Sequence, residues 1–295
     1  MKKLWINRFY IGKLATKVTG GIFAFIGIIS TLVPLDNIFS DTTSFCWRII
    51  ITLLIVAGVW LLCFIGCLLF VLIIKRIKLY EVNNGYSVYV QYGDLFSNNI
   101  ISDNDKKRNI VIPVNRCFDT IVDNDLITER SLHGMFLKKL YSSKKYNENS
   151  LNRKIQDFLY QQKARFITIE KTNKRKGNLK RFDIGTIAEV DMSASCKYFL
   201  LGLTTFDSNL HAHVSNEEYS TALVRLIEYC NTRSQGFPVI IPLIGGGASN
   251  SQKSEKDILD YMIGLLKENR NIINSDIYIV VRNSGRDNIS IFDYK

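Results

Sequence analysis

Two short stretches carry residues whose types and spacing could do chemistry. The first is IIPLIGGGAS, residues 240–249, an apolar run that passes into Gly245, Gly246 and Gly247, then Ala248 and Ser249. Glycines lack a β-carbon, so their backbone N–H groups can close on an anion such as a diphosphate. The same three glycines could equally turn a corner between a strand and a helix. The second stretch is QYGDLFSNN, starting at residue 91. An aspartate at a strand end can simply cap the next turn. Asp94 can also accept from an adenine amino group while the Leu95 N–H donates to the ring. Guanine would turn a carbonyl toward that carboxylate and be rejected.

Other chemistries find less support. His133, His211 and His213 have no matching cysteine or carboxylate pattern, so no metal site is expected. Cys46, Cys63, Cys67, Cys117, Cys196 and Cys230 show neither metal spacing nor obvious pairing. They read as small apolar residues in a reducing compartment.

The elements that must position these stretches alternate along residues 81–295. Strands are expected over 85–93, 108–115, 182–190, 197–206, 237–247, 275–283 and 288–294. Helical spacing appears over 131–141, 149–164, 215–233 and 254–270, the third opening on Ser215 with Glu218 three residues on. Apolar strands separated by helices imply an α/β domain whose mixed sheet has helices on both faces. Ligands in such sheets bind at the carboxyl ends of strands, where both Asp94 and Gly245 fall.

Ahead of that domain, residues 18–35 and 49–74 are free of charge. A helix needs ~20 apolar residues to cross a bilayer core, so both are expected to span. A signal peptide would need a small-residue cleavage site, which LVPLDNIFSD does not provide. Lys2, Lys3, Arg8, Lys13 and Lys17 precede the first run, and Lys75, Arg76 and Lys78 follow the second. Positive residues stay inside, so the chain is expected to be multi-pass with both termini cytoplasmic. Residues 1–80 form the membrane region and 81–295 the cytoplasmic one.

The formal net charge is +11. Nine of the 38 basic and two of the 27 acidic residues lie in 1–80, leaving 29 and 25 elsewhere. Most of the excess therefore flanks the membrane, where it answers anionic lipid, and no nucleic-acid partner is expected. The remaining basic run, KTNKRKGNLKR at 171–181, reads as a solvated loop, with a nucleotide or lipid contact as the alternative. Gly20, Gly21, Gly27, Gly58 and Gly66 permit close helix approach, and assembly into a homo-oligomer is expected.

Gly93-Asp94-Leu95, IVIPVN (110–115), SLHGM (131–135), GTIAEV (185–190), KYFLLGL (197–203), VIIPLIGGG (239–247) and IYIVV (277–281) together resemble a macro domain. With two apolar helices ahead, the chain more closely resembles the membrane-anchored macro-domain branch of the Thoeris antiphage effector family ThsA. That resemblance implies a domain binding an ADP-ribose-derived signal, histidine-ADP-ribose in this branch, made from NAD by a TIR-domain partner. Binding would trigger membrane disruption and abortive infection, without catalysis and without a cofactor. It implies a ligand-contacting set of Asp94, Leu95, Asn115, Ser131, His133, Gly134, Gly245, Gly246, Gly247, Ala248, Ser249 and Asn283. Asn115 matches the first asparagine of the family's asparagine-bearing loop. The second, which faces the distal ribose in hydrolytic members, is replaced by Phe118. This departure points to a distal pocket reshaped for an aromatic group, or to a core ring. A membrane-anchored ADP-ribosyl hydrolase is the alternative.

Overall fold

The computed structural model describes residues 2–32, 44–82, 84–101, 107–245 and 254–295. The chain forms two compact units, Met1–Ile77 with Ser290–Lys295, and Lys78–Ile289. The link expected between the membrane helices falls largely in 33–43, outside the described residues.

The first unit holds α1 (Lys2–Ile6), α2 (Arg8–Leu32) and α3 (Phe45–Ile73). At ~1.5 Å per residue, the 25 residues of α2 span about 37 Å and the 29 of α3 about 44 Å. Both are long and apolar enough to cross a membrane. α2 starts ten residues before the uncharged run because the helix continues through Arg8, Lys13 and Lys17. Phe25, Ile28, Leu53, Leu54 and Leu62 stand exposed, an arrangement that costs about 25 cal/mol per Å² in water and nothing comparable in lipid. Trp60 Nε1 donates to Thr16 Oγ1 at 3.2 Å, linking α3 to α2. The glycines do not mediate that contact: a β-carbon at Gly20, Gly21, Gly27, Gly58 or Gly66 would meet nothing within 4 Å.

The strand expected over 288–294 is not one. Ser290 Oγ accepts from the Phe292 N–H, and Ile291–Tyr294 winds into a 3-10 turn. A serine that hydrogen-bonds its own local backbone competes with sheet pairing. The turn is held by Ser290 Oγ donating to Asn7 Oδ1 at 2.7 Å and by Phe292 stacking on Tyr10 at 4.8 Å.

β1 (Arg76–Glu81) begins two residues before the second unit, which continues with β2 (Ser87–Gly93), β3 (Arg108–Asn115), α4 (Leu132–Ser142), α5 (Glu148–Gln161), β4 (Phe166–Thr168), β5 (Lys180–Phe182), β6 (Ile187–Ser193), β7 (Cys196–Phe206), β8 (Ala212–His213), α6 (Asn216–Arg233), β9 (Val239–Pro242), α7 (Glu255–Glu268) and β10 (Ile277–Arg282). The main sheet runs β1-β2-β10-β9-β3-β7-β6, with β8 on β7. β2, β10, β9, β3 and β7 are mutually parallel, and β6 and β8 run antiparallel to β7. It is the mixed sheet expected from the alternation. Consecutive residues of β7 show that helices cover both faces. Tyr198 meets Phe136 of α4 at 4.8 Å, while Phe199 meets Tyr229 of α6 at 5.3 Å.

Two expected strands are shorter than their apolar runs. The run at 182–190 breaks between β5 and β6, where Gly185 has φ +72 and a β-carbon would strike the Arg225 side chain at 2.8 Å. The run at 237–247 stops at Pro242, which has no N–H to extend a ladder.

Candidate ligand site at the strand ends

Four neighbouring parallel strands end on one rim. Arg282 of β10 lies opposite Gly93 of β2, and Val280 opposite Pro242 of β9. β3 pairs with β9 on its other side and ends at Asn115. The segments leaving this rim therefore begin at Asp94, Asn283, Leu243 and Arg116, so Asp94, Leu95, Asn115, Gly245 and Asn283 gather at one edge.

Asp94 is exposed and Leu95 is buried, so the core anchors the turn while the carboxylate faces out. Asp94 Oδ1 accepts from the Phe96 N–H at 3.0 Å. Asn283 is exposed and opens a 3-10 turn. On β9's exit, the Leu243 N–H donates to the Val280 carbonyl at 3.2 Å, and the Tyr219 hydroxyl donates to the Ile244 carbonyl at 2.9 Å. Gly245 follows, buried, with φ +96, a backbone geometry that favours glycine. Gly246, Gly247, Ala248 and Ser249 lie outside the described residues. α7 starts beyond them with Ser254 and Asp257 in a reciprocal cap, and with Glu255 also in its first turn. These acids already answer the positive end of that helix.

Asn115 is buried, and its Oδ1 accepts from the Cys117 N–H at 3.0 Å. Its side-chain amide lies near enough to the buried Asp119 carboxylate to favour the ionised form of that acid. Phe118 resolves as a core ring: it is 1% exposed and meets Phe182 edge-on at 5.6 Å. Its φ of +51 places a bulky residue in the left-handed region.

Ser131, His133 and Gly134 form the capped start of α4. Ser131 Oγ accepts from the Gly134 N–H at 3.0 Å and donates to the Thr128 carbonyl at 2.8 Å. A β-carbon on Gly134 would lie 2.1 Å from the Thr128 carbonyl oxygen. His133 is buried beside the Asp119 backbone, and burial pushes its imidazole down to about 3, so it is neutral. The groups of Ser131 and Gly134 are thus committed to one another.

The basic run at 171–181 is not simply solvated. Lys174 is fully buried and pairs with Asp119 at 2.9 Å, itself 1% exposed. Its ammonium also donates to the carbonyls of Lys176 and Asn178 at 2.7 and 2.8 Å. The Asn178 N–H donates to Asp119 Oδ1, and its side-chain amide donates to the Cys117 and Phe118 carbonyls. Arg175 pairs with Asp125, and Lys176 with Asp123. At Gly177, φ +81, a β-carbon would lie 2.2 Å from Asp119 Oδ1. The run thus wraps the loop that follows Asn115. The clustered acids Asp119, Asp123 and Asp125 were the available signal for this in the sequence.

Mixed sheet, strand-end rim and flanking helices define a macro-type α/β domain behind two long apolar helices. The sequence model of the family described as Thoeris protein ThsA, Macro domain, matches residues 88–282, and the chain belongs to that family. It is 29% identical over 204 residues to the Thoeris protein ThsA of Bacillus amyloliquefaciens (strain Y2). That match takes in 66% of this chain and 62% of the relative, just under two thirds of the latter's length. Among solved structures, an Oceanobacillus iheyensis macrodomain mutant with ADPR aligns with a TM-score of 0.45 at 11% identity, over 72% of this chain and 92% of that one. The same macrodomain with ADP aligns at 0.44 and 10% identity, over 74% and 90%.

Proposed function

We propose that this chain is a membrane-anchored, non-catalytic effector of Thoeris antiphage defence whose macro domain binds an ADP-ribose-derived signal. The observation that carries the reading is the rim itself. The exposed Asp94 carboxylate and the buried, positive-φ Gly245 follow the carboxyl ends of β2 and β9, parallel strands on either side of β10. In this reading Asp94 and the Leu95 N–H hold adenine, and residues 245–249 wrap the diphosphate. Asn115 and Asn283 complete the site. The signal is histidine-ADP-ribose, produced by a TIR-domain enzyme. Two helices long and apolar enough to cross a membrane support a position in the bacterial inner membrane, and the lysines and arginines flanking them support cytoplasmic termini. Ligand binding drives assembly of several copies and disrupts the membrane.

The alternative is ADP-ribosyl hydrolysis. Phe118, buried where hydrolytic members carry an asparagine, favours binding over cleavage. One experiment separates the two. The full chain in detergent, wild type and Asp94→Ala, is titrated with ADP-ribose and histidine-ADP-ribose, and the ligand is then recovered by chromatography. Intact ligand, bound by wild type and weakened about tenfold to more than a hundredfold in Asp94→Ala, is expected, because a hydrogen bond to a charged group contributes about 1.5–3 kcal/mol. Cleaved ligand would establish the hydrolase, and equal affinities would place adenine elsewhere.

A further inference from the structure

A concavity lies at the amino end of β3, opposite to the rim. Arg108 and Cys196, the first residues of β3 and β7, sit side by side in the parallel register. The cavity beside them, of about 400 Å³, therefore opens at the amino ends, away from Asp94 and Gly245. Its walls carry Lys107, Arg108, Lys145, Lys197 and Arg233 against one carboxylate, Asp191.

Among the described residues, only Lys197 of the five meets a carboxylate, Glu189 at 2.6 Å. Arg108 donates to the Asn98 carbonyl at 2.8 Å, and Arg233 to Gln162 Oε1 at 3.2 Å. Lys145 Nζ donates to the carbonyls of Asp191 and Met192 at 2.8 and 3.2 Å. Lys107 Nζ lies 5.3 Å from the centre of the Phe237 ring. Four cations are thus oriented by neutral groups that do not cancel their charge. A cation at a helix carboxyl end interacts favourably with the helix dipole, which accounts for Arg233 at the end of α6. It does not account for Lys107 and Arg108, which open a strand.

We propose that this cavity is a binding site for a phosphate-bearing anion, separate from the rim described above. Cations converging from a strand start, an interhelical loop and a helix end enclose a compact multivalent anion and can donate charge-assisted hydrogen bonds to it. A free diphosphate and the headgroup of an anionic phospholipid present the same chemistry.

The test uses the full chain and hydrogen–deuterium exchange over residues 107–109 and 193–197. Inorganic pyrophosphate is added to the protein in neutral detergent. In parallel, the protein is placed in nanodiscs of phosphatidylglycerol or of phosphatidylcholine. Protection by pyrophosphate identifies a soluble anion. Protection in phosphatidylglycerol alone identifies a lipid headgroup. In either case Lys107→Gln/Lys145→Gln/Arg233→Gln should weaken the response about tenfold or more, and salt should weaken it in wild type. All three side chains are exposed, and Lys107→Gln alone should weaken it by a smaller factor. No protection by either probe, or variants that respond like wild type, would overturn the proposal.

Discussion

At the residue scale, the buried pair Lys174–Asp119 is the strongest single commitment outside the rim. Two charges out of water hold only while each has the other. Lys174→Met should therefore cost about 3–5 kcal/mol, because Asp119 is left buried and unpaired. Lys174→Met combined with Asp119→Leu should recover part of that loss. Chemical denaturation of the three proteins checks this; a single variant as stable as wild type would show that the ammonium is not enclosed. His133 supplies a pH prediction. Its folded value is lowered from 6.5 to about 3 by burial, so below pH 6.5 the unfolded chain takes up a proton that the folded chain refuses. Stability contributed by the neutral imidazole is complete above 6.5 and is lost as pH falls toward 3, at about 1.4 kcal/mol per pH unit. His133→Gln should remove that slope from the difference between unfolding curves at pH 6 and pH 4.5.

At the element scale, the exit from β9 is held by contacts within the domain. Backbone pairing to Val280 and the Tyr219 hydroxyl fix Leu243 and Ile244, and Gly245 then turns at φ +96. Gly245→Val should cost about 1–3 kcal/mol of backbone strain and also obstruct close approach of an anion. Calorimetry with histidine-ADP-ribose should show binding lost under conditions where near-ultraviolet dichroism still reports a folded domain. Normal binding by a folded Gly245→Val protein would mean that these glycines only turn the chain. The basic run at 171–181 has a task of its own. Asn178 and Lys174 clamp the loop after Asn115 and hold Phe118 in its left-handed backbone, next to the rim.

At the scale of the whole molecule, α2 and α3 present large apolar side chains outward along helices longer than a bilayer core. The full chain should stay with the membrane pellet after alkaline carbonate extraction, and release into the supernatant would contradict a spanning arrangement. A reporter fused after Lys295 should remain inaccessible from outside intact cells, from the distribution of lysine and arginine. β-Carbons at Gly20, Gly21, Gly27, Gly58 and Gly66 would meet open space within one chain, so alanine at these positions should leave the packing of α2 on α3 unchanged.

Sequence alone determined those features whose physics is local. Uncharged runs mark long apolar helices, the Ser215 and Glu218 spacing marks a capped helix that is present as read, and apolar runs mark most strands. Asp94 and Gly245 could be placed at strand ends because each end is punctuated by turn residues. Tertiary structure decided what depends on distant partners. The pairing of β2 with β10 joins residues about 190 apart in the chain, and no periodicity encodes it. Lys174 sits in a charged run that reads as solvated, and it is buried because Asp119, 55 residues earlier, closes over it. Phe118 is a core ring because Phe182 meets it. Residues 288–294 read as a strand, yet a serine hydroxyl takes the Phe292 N–H a ladder would need. In each case a side chain's surroundings follow from chain-distant or competing hydrogen bonds, whereas sequence patterning reports only which residues prefer to leave water.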